Sequence, residues 1–170
     1  MKVGKGDSGY TDRLNGSRVK KNHPSIELIG ELDELSAWIG LFRSEIPPST
    51  FNENLEKIQE HLSTIMTVIS SSTPEVQTYQ MMLEQNLLMI ENWLAQLEEE
   101  IEIPHHFLFA GKNRRGALLN LLRVISRRIE RKAVAFLSAD NALERSMMIY
   151  LNRLSTLFYF LWLQTEKDSQ

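Results

Sequence analysis

Apolar residues recur along most of this chain at alternating spacings of three and four, the period of a helix that buries one face. The first stripe runs from Ser25 through Leu28, Leu32, Leu35, Ile39 and Phe42, and Pro47-Pro48 stops it, because proline lacks the backbone donor and crowds the preceding turn. Thr50 with Glu53 three residues on reads as a capping box, and Leu55, Ile58, Leu62, Ile65 and Ile69 follow before a Ser and Pro run at 70–74. Leu83, Leu87, Ile90, Leu94 and Leu97 make a third stripe, closed by Pro104. A fourth is expected over about Ala117 to Leu137, and a fifth, capped by Asp140, carries Leu143, Met147, Tyr150, Leu151, Leu154, Phe158 and Leu161. Five such segments and no convincing strand predict an all-α fold, an up-down five-helix bundle of the ferritin-like kind. Trp38, Phe42, Phe158, Tyr159, Phe160 and Trp162 offer more aromatic surface than one small core needs, which suggests self-association.

Before Ser25 there is no sustained period, only glycines among polar residues, so residues 1–24 are expected as an ordered loop or a tail ahead of a bundle over 25–166. A chain of 170 residues that is 42% hydrophobic can bury one core, and residues 1–170 are expected to form one domain. The balance of 19 basic and 22 acidic side chains, net −3, leaves no overall footprint for nucleic acid, so any anion site has to be local. The absence of cysteine removes disulfides, thiolate metal sites and thiol nucleophiles. The first residues lack an apolar signal core, and the run Leu157 to Leu163 is too short to span a bilayer, so a cytoplasmic protein with no membrane partner is expected.

The local anion site suggests itself in the fourth segment. At about 100° per residue, Arg123, Arg127, Glu130 and Arg131 share one arc of the helix, opposite Leu118, Leu122, Ile125, Ile129 and Phe136. Guanidinium groups fit phosphates and carboxylates by two-point contact and stay charged at any biological pH. Near the N-terminus, Gly6-Asp7-Ser8-Gly9-Tyr10-Thr11 is a turn whose glycines let backbone N–H groups converge on a phosphate, and Gly16-Ser17-Arg18-Val19-Lys20-Lys21 adds cations beside it. Other chemistries lack support: a di-iron bundle requires two Glu-x-x-His pairs on helices and only Glu102 with His105 has that spacing, interrupted by Pro104, adjacent His105 and His106 point apart, no Walker A motif occurs, and the Gly4-x-Gly6-x-x-Gly9 spacing neither follows an apolar strand run nor opens a helical stripe.

These motifs, in order, resemble the PduO-type ATP:cob(I)alamin adenosyltransferases. That family's T-G-D-x-G-x-T, G-x-R-V-x-K, R-V-E-A-x-G-x-x-D-E-L, F-I-L-P-G-G, A-R-x-x-C-R-R-A-E-R and Y-L-N-R-L-S-D correspond here to the stretches at 6–11, 16–21, 25–35, 107–111, 122–131 and 150–155. The resemblance implies a trimer with ATP and the corrinoid bound between neighbouring subunits. It implies that Gly6, Asp7, Gly9 and Thr11 wrap the triphosphate with Lys21 beside it, and that Arg127 is the principal ATP contact. Arg128, Glu130, Arg131 and Asn152 would complete the nucleotide site, Asp33 would pair with Arg123, and Phe107 would keep the lower cobalt face free of its ligand. Arg127, Asp33, Arg123 and Phe107 are the catalytic set so implied. Mg²⁺ would come with the ATP phosphates rather than on protein side chains, and a flavoprotein reductase and an adenosylcobalamin-dependent mutase are the implied protein partners.

The pattern has departures. Lys5, Ser25 and Ser126 stand where the family has Thr, Arg and Cys, Thr156 replaces the final Asp, and Lys112, Arg114 and Arg115 follow Gly111 where small neutral residues are usual. The nucleotide motifs are better kept than the corrinoid motifs, which leaves a non-catalytic ATP or corrinoid binder on the same fold as the alternative.

Overall fold

A computed structural model describes residues 4–71 and 76–167. A short antiparallel hairpin, β1 (Tyr10–Asp12) and β2 (Arg18–Lys20), precedes five helices: α1 (Pro24–Ser44), α2 (Thr50–Ser70), α3 (Val76–Glu100), α4 (Arg114–Phe136) and α5 (Ala142–Lys167). Part of the Ser and Pro run at 70–74 lies outside the described residues.

The apolar stripes account for the helices, and the local polar residues account for where they start. Pro24 occupies the first turn of α1, where its missing N–H costs nothing, and His23 accepts from the Ser25 amide. The caps of α2 and α5 are each displaced by one residue from expectation. Ser49, not Thr50, accepts from the Asn52 amide, and Asn141, not Asp140, accepts from the Glu144 amide. Helix α4 begins earlier than Ala117, because Asn113 caps it through the Gly116 amide at 2.7 Å and draws Arg114 and Arg115 into the first turn. Arg114, unfavourable against the dipole there, is held by Glu45 in a two-point ion pair.

Residue pairs across the helices fix their directions. Glu27 meets Lys132 while Glu34 meets Arg128, and Asn152 meets Glu130 while Trp162 meets Arg123, so α4 runs against both α1 and α5. Gln80 meets Ser146 and Glu91 meets Arg153, so α3 runs with α5. The result is the up-down bundle that the sequence predicts, with α5 packed between α3 and α4. This placement removes one ground for expecting self-association and leaves the expectation itself untested. Phe42, Phe158, Phe160 and Trp162 are buried within the single chain and Trp38 and Tyr159 pack against the same core, so these aromatics are no argument for self-association. Among the described residues, no helix is long and apolar enough to cross a membrane.

One buried polar pair ties α2 to α5. His61 Nδ1 and the fully buried Tyr150 hydroxyl share a 3.0 Å hydrogen bond, and the two rings meet edge to face. Burial, with a smaller push from Lys57, holds the His61 imidazole at about 4, below its usual 6.5. In that window the unfolded chain binds the proton and the folded chain does not, so stability is expected to fall as pH drops from 6.5 toward about 4 and to level off below it. Urea midpoints across this range check it: His61→Gln should flatten the decline, and identical slopes in both proteins would show that the native imidazole titrates normally.

Candidate functional site

Helix α4 carries its basic residues on two faces with opposite fates. On the α1 side, Arg128 reaches Glu31 at 2.5 Å and Glu34 at 2.7 Å, and Lys132 reaches Glu31 at 2.7 Å. Partial burial pushes the Glu31 carboxyl up, but hydrogen bonds from Lys132 and Arg128 outweigh it and hold it below the usual carboxylate range. This cluster fixes the rotation of α4 on α1. Arg128, expected among the nucleotide contacts, is thus held by the α1 carboxylates within the chain through Nε and one terminal nitrogen. Glu31→Gln is expected to lower stability by about 0.5–1 kcal/mol, as for a partly exposed ion cluster, with a urea titration as the check.

On the α5 side the arginines have no carboxylate. Among the described residues, Arg123, Arg127 and Arg131, spaced at i, i+4 and i+8, make no ion pair. Arg123 is positioned by neutral groups, donating to Asn120 Oδ1 at 2.9 Å and lying over the Trp162 ring at 5.9 Å. Burial, and next the charge of Arg127, push its pKa down from the ordinary guanidinium value. Glu130, the one acid on this arc, is taken up by Asn152, whose amide donates to Glu130 Oε1 at 2.7 Å. Pairing within the chain therefore does not account for the stripe, which leaves three guanidinium groups open to an anion.

The stripe lines a groove between α4 and α5 made of three hollows with common walls. The first, about 320 Å³, is bounded by Arg127, Glu130, Arg131, Val134 and Asn152. The second, about 260 Å³, lies among Arg123, Arg127, Ser155, Thr156 and Tyr159. The third, about 440 Å³, is walled by Asn120, Arg123, Tyr159 and Trp162 and by the segment that carries Phe107 and Phe109. These two phenylalanines are each 81% exposed and pack only edge to face on one another among aromatic contacts, with centroids 5.1 Å apart. The groove thus passes from a cationic, hydrogen-bonding end to an aromatic end, with Arg127 common to the first two hollows and Arg123 to the last two.

The N-terminal loop is a second polar feature at the end of the bundle where α1 starts and α2 stops, anchored by the Leu14 amide on Ser70 Oγ at 3.1 Å. Gly9 has φ +78°, a left-handed conformation that side chains resist, and its carbonyl accepts from the Lys21 amide at 2.9 Å. A Cβ on Gly6 would stand 3.0 Å from Lys21 Nζ, so the ammonium lies directly against the glycine turn. Asp7 is exposed in that turn, and Thr11 pairs with Val19 in the hairpin. Arg18 braces the loop, donating to the Lys5 carbonyl and Ser8 Oγ, and so is not free to reach a phosphate.

Within one chain, then, Arg123, Arg127, Glu130, Arg131 and Asn152 come together and Phe107 closes the far end of their groove. Gly6, Asp7, Gly9, Thr11 and Lys21 form a separate cluster, and among the described residues no hydrogen bond or ion pair joins it to the stripe. Asp33 is exposed on α1 and has no ion pair among the described residues, and it does not meet Arg123 within the chain. Sequence reasoning overlooked Tyr159, Trp162 and Asn120 as groove walls. The signal was there on α5, where Asn152, Thr156, Tyr159 and Trp162 follow at helical spacing on one face, but the two aromatics read as surface for self-association. Among the described residues, no group of His, Asp and Glu is arranged to hold a metal ion.

Residues 1–164 match the family described as cobalamin adenosyltransferase. The chain is 33% identical over 157 residues to the cobalamin adenosyltransferase of Cupriavidus metallidurans, covering 92% of this chain and 82% of that one. It is 28% identical to the corrinoid adenosyltransferase PduO of Salmonella typhimurium over 96% of this chain and 49% of the relative, so it spans about half the length of that protein. Among solved structures, a variant PduO-type ATP:co(I)rrinoid adenosyltransferase from Lactobacillus reuteri, complexed with ATP, is similar with a TM-score of 0.82 and 25% identity, over 97% of this chain and 93% of that one. A groove that offers unpaired guanidinium groups at one end and exposed aromatics at the other, on this five-helix frame, agrees with these matches: the chain belongs to the cobalamin adenosyltransferase family.

Proposed function

We propose that this protein transfers the 5′-deoxyadenosyl group of ATP to the cobalt of cob(I)alamin, giving adenosylcobalamin and triphosphate. The observation that carries the reading is the row of three guanidinium groups without carboxylate partners in a groove that ends at exposed aromatics. In this reaction the electron-rich cobalt forms a bond to C5′ as the C5′–O bond breaks, and the electron pair leaves with the triphosphate. Charge therefore grows on the leaving group, and fixed cations aimed at it lower the barrier more than they stabilise bound ATP. Arg127 takes the central place, Arg131 and the Glu130–Asn152 pair orient the nucleotide, and Arg123 stands between phosphates and corrinoid. Mg²⁺ would enter with ATP, its ligands being phosphate oxygens, and would neutralise part of the same charge. Phe107, an apolar ring with no acid or base, would displace the lower axial ligand and so ease reduction of Co(II) to the nucleophilic state.

The two polar clusters lie apart within one chain, and the unpaired Asp33 and Arg123 are an unused complementary pair. Both features support a homotrimer in which the glycine loop of one copy covers the stripe of the next, with Asp33 meeting Arg123 across the boundary. A flavoprotein reductase that feeds electrons and a mutase that takes up adenosylcobalamin are the partners that fit such an enzyme, in the cytoplasm.

The direct test is an anaerobic assay with ATP, Mg²⁺ and reduced cobalamin that follows the Co(I) absorbance. Loss of that band with formation of adenosylcobalamin supports the enzyme. A flat trace with calorimetric ATP binding supports instead a non-catalytic nucleotide binder, the reading favoured by the basic residues that follow Gly111.

A further inference from the structure

Beside the aromatic end of the groove lies another cavity, about 480 Å³, whose walls include Glu102, His106, Leu108, Lys112, Leu163 and Glu166. His106 and Leu108 are walls of both spaces, so a ligand in the Phe107 hollow borders directly on this one. Glu166 is only 5% exposed, a state in which carboxylates are rarely found without a partner. Its Oε1 accepts from Trp162 Nε1 at 3.0 Å, and Trp162 is itself a wall of the Phe107 hollow. Its Oε2 lies 3.2 Å from Lys112 Nζ, an ion contact without the alignment of a hydrogen bond, and this buried oxygen accepts no other. Lys112 is half exposed and keeps further N–H donors.

The charged walls of the cavity are Glu100, Glu102, Glu166, Lys112 and Lys167, and among them the buried Glu166 acceptor and the half-exposed Lys112 donor stand side by side, next to Leu108 and Leu163. A carboxylate ligand would gain Lys112 but face Glu166, and an ammonium ligand would meet the reverse conflict. A primary carboxamide suits both: its NH₂ donates to Glu166 Oε2 while its carbonyl accepts from Lys112 Nζ. The rim of a corrin ring carries primary carboxamides. We propose that Lys112 and Glu166 form a carboxamide-binding subsite for the corrinoid rim, which selects amidated corrinoids over those that bear peripheral carboxylates. This rests on the adenosyltransferase reading. Because Lys112 stands where the resembling motif has glycine, the subsite belongs to this chain rather than to the motif.

The test titrates the ATP-loaded protein with cob(II)alamin and, separately, with a cobalt(II) corrinoid whose rim groups are carboxylates, following the absorbance change and the heat of binding. Wild-type protein is expected to favour the amidated corrinoid by about tenfold or more, the scale of one charge-assisted hydrogen bond. Lys112→Ala should weaken cob(II)alamin binding by about tenfold and leave ATP affinity unchanged. Glu166→Gln, which removes the repulsion, should shrink the preference to within about twofold. Wild-type affinity in Lys112→Ala, or undiminished selectivity in a folded Glu166→Gln, overturns the subsite while turnover of the wild type leaves the enzyme reading intact. Should Glu166→Gln fail to fold, Lys112→Glu decides instead, because it places a second acid at a half-exposed position and must depress cob(II)alamin binding further than alanine does. Wild-type protein that neither binds corrinoid nor makes adenosylcobalamin removes the enzyme reading and the subsite together.

Discussion

Arg127→Ala is expected to lower kcat for adenosyl transfer by about a hundredfold to a thousandfold, the range for removing one preorganised donor from a developing charge. The side chain is exposed and makes no ion pair among the described residues, so its loss costs the fold little, within about 0.5 kcal/mol. The effect should appear in kcat at saturating ATP rather than in KM alone, because the triphosphate carries more charge when leaving than when bound. Arg127→Lys should recover only part of the rate, since an ammonium keeps the charge but loses the planar two-point contact. Arg128→Ala is the internal contrast: it empties the clamp on Glu31 and Glu34, so it should lower stability more than Arg127→Ala does and chemistry far less. Equal kinetic losses at the two positions would defeat the division of α4 into a structural and a substrate-facing side.

Phe107→Ala should separate reduction from transfer. A ring that is 81% exposed has almost no folding energy to lose, so whatever the variant loses is functional. Starting from cob(II)alamin and a mild reductant, the rate is expected to fall at least tenfold, equivalent to about 1.4 kcal/mol of barrier. Starting from cob(I)alamin made chemically, the loss should be clearly smaller, because the step that needs the axial ligand gone has been bypassed. ATP affinity should not change, since Phe107 lies at the far end of the groove from Asn152 and Arg131. Equal losses from both cobalt states would put the ring in the transfer step and remove the axial-ligand role.

The helical stripes were legible because burial on one face leaves a period that survives any local detail. The ends were not, because neighbouring polar residues compete for the same amide: Ser49 and Thr50, or Asn141 and Asp140, are equally capable caps on paper. The hairpin escaped notice because three-residue strands are too short for alternation to register. Arg128 shows what a motif leaves out, namely its pairing with the carboxylates of α1. The helical wheel alone leaves it off the arc of Arg123, Arg127 and Arg131, since one residue turns the side chain by about 100°. The motif added it, and the carboxylates of α1 explain why it points away. Tyr159 and Trp162 show the converse, being packed against the core by one edge and walling the groove by the other, a dual role that hydropathy does not encode. The Glu166–Lys112 contact joins positions far apart in sequence, and nothing in either segment alone announces it.

The unpaired stripe on α4 also bears on what happens after the chemistry. Three like charges at one-turn spacing repel one another by about 0.2–0.5 kcal/mol per pair, and the depressed guanidinium pKa of Arg123, set first by burial and then by Arg127, reflects that repulsion. An anion relieves it, and the triphosphate that has just departed from C5′ is more highly charged than the ATP it came from. On the proposed function, the groove holds its by-product harder than its substrate, and the residues that speed bond breaking also slow the emptying of the site.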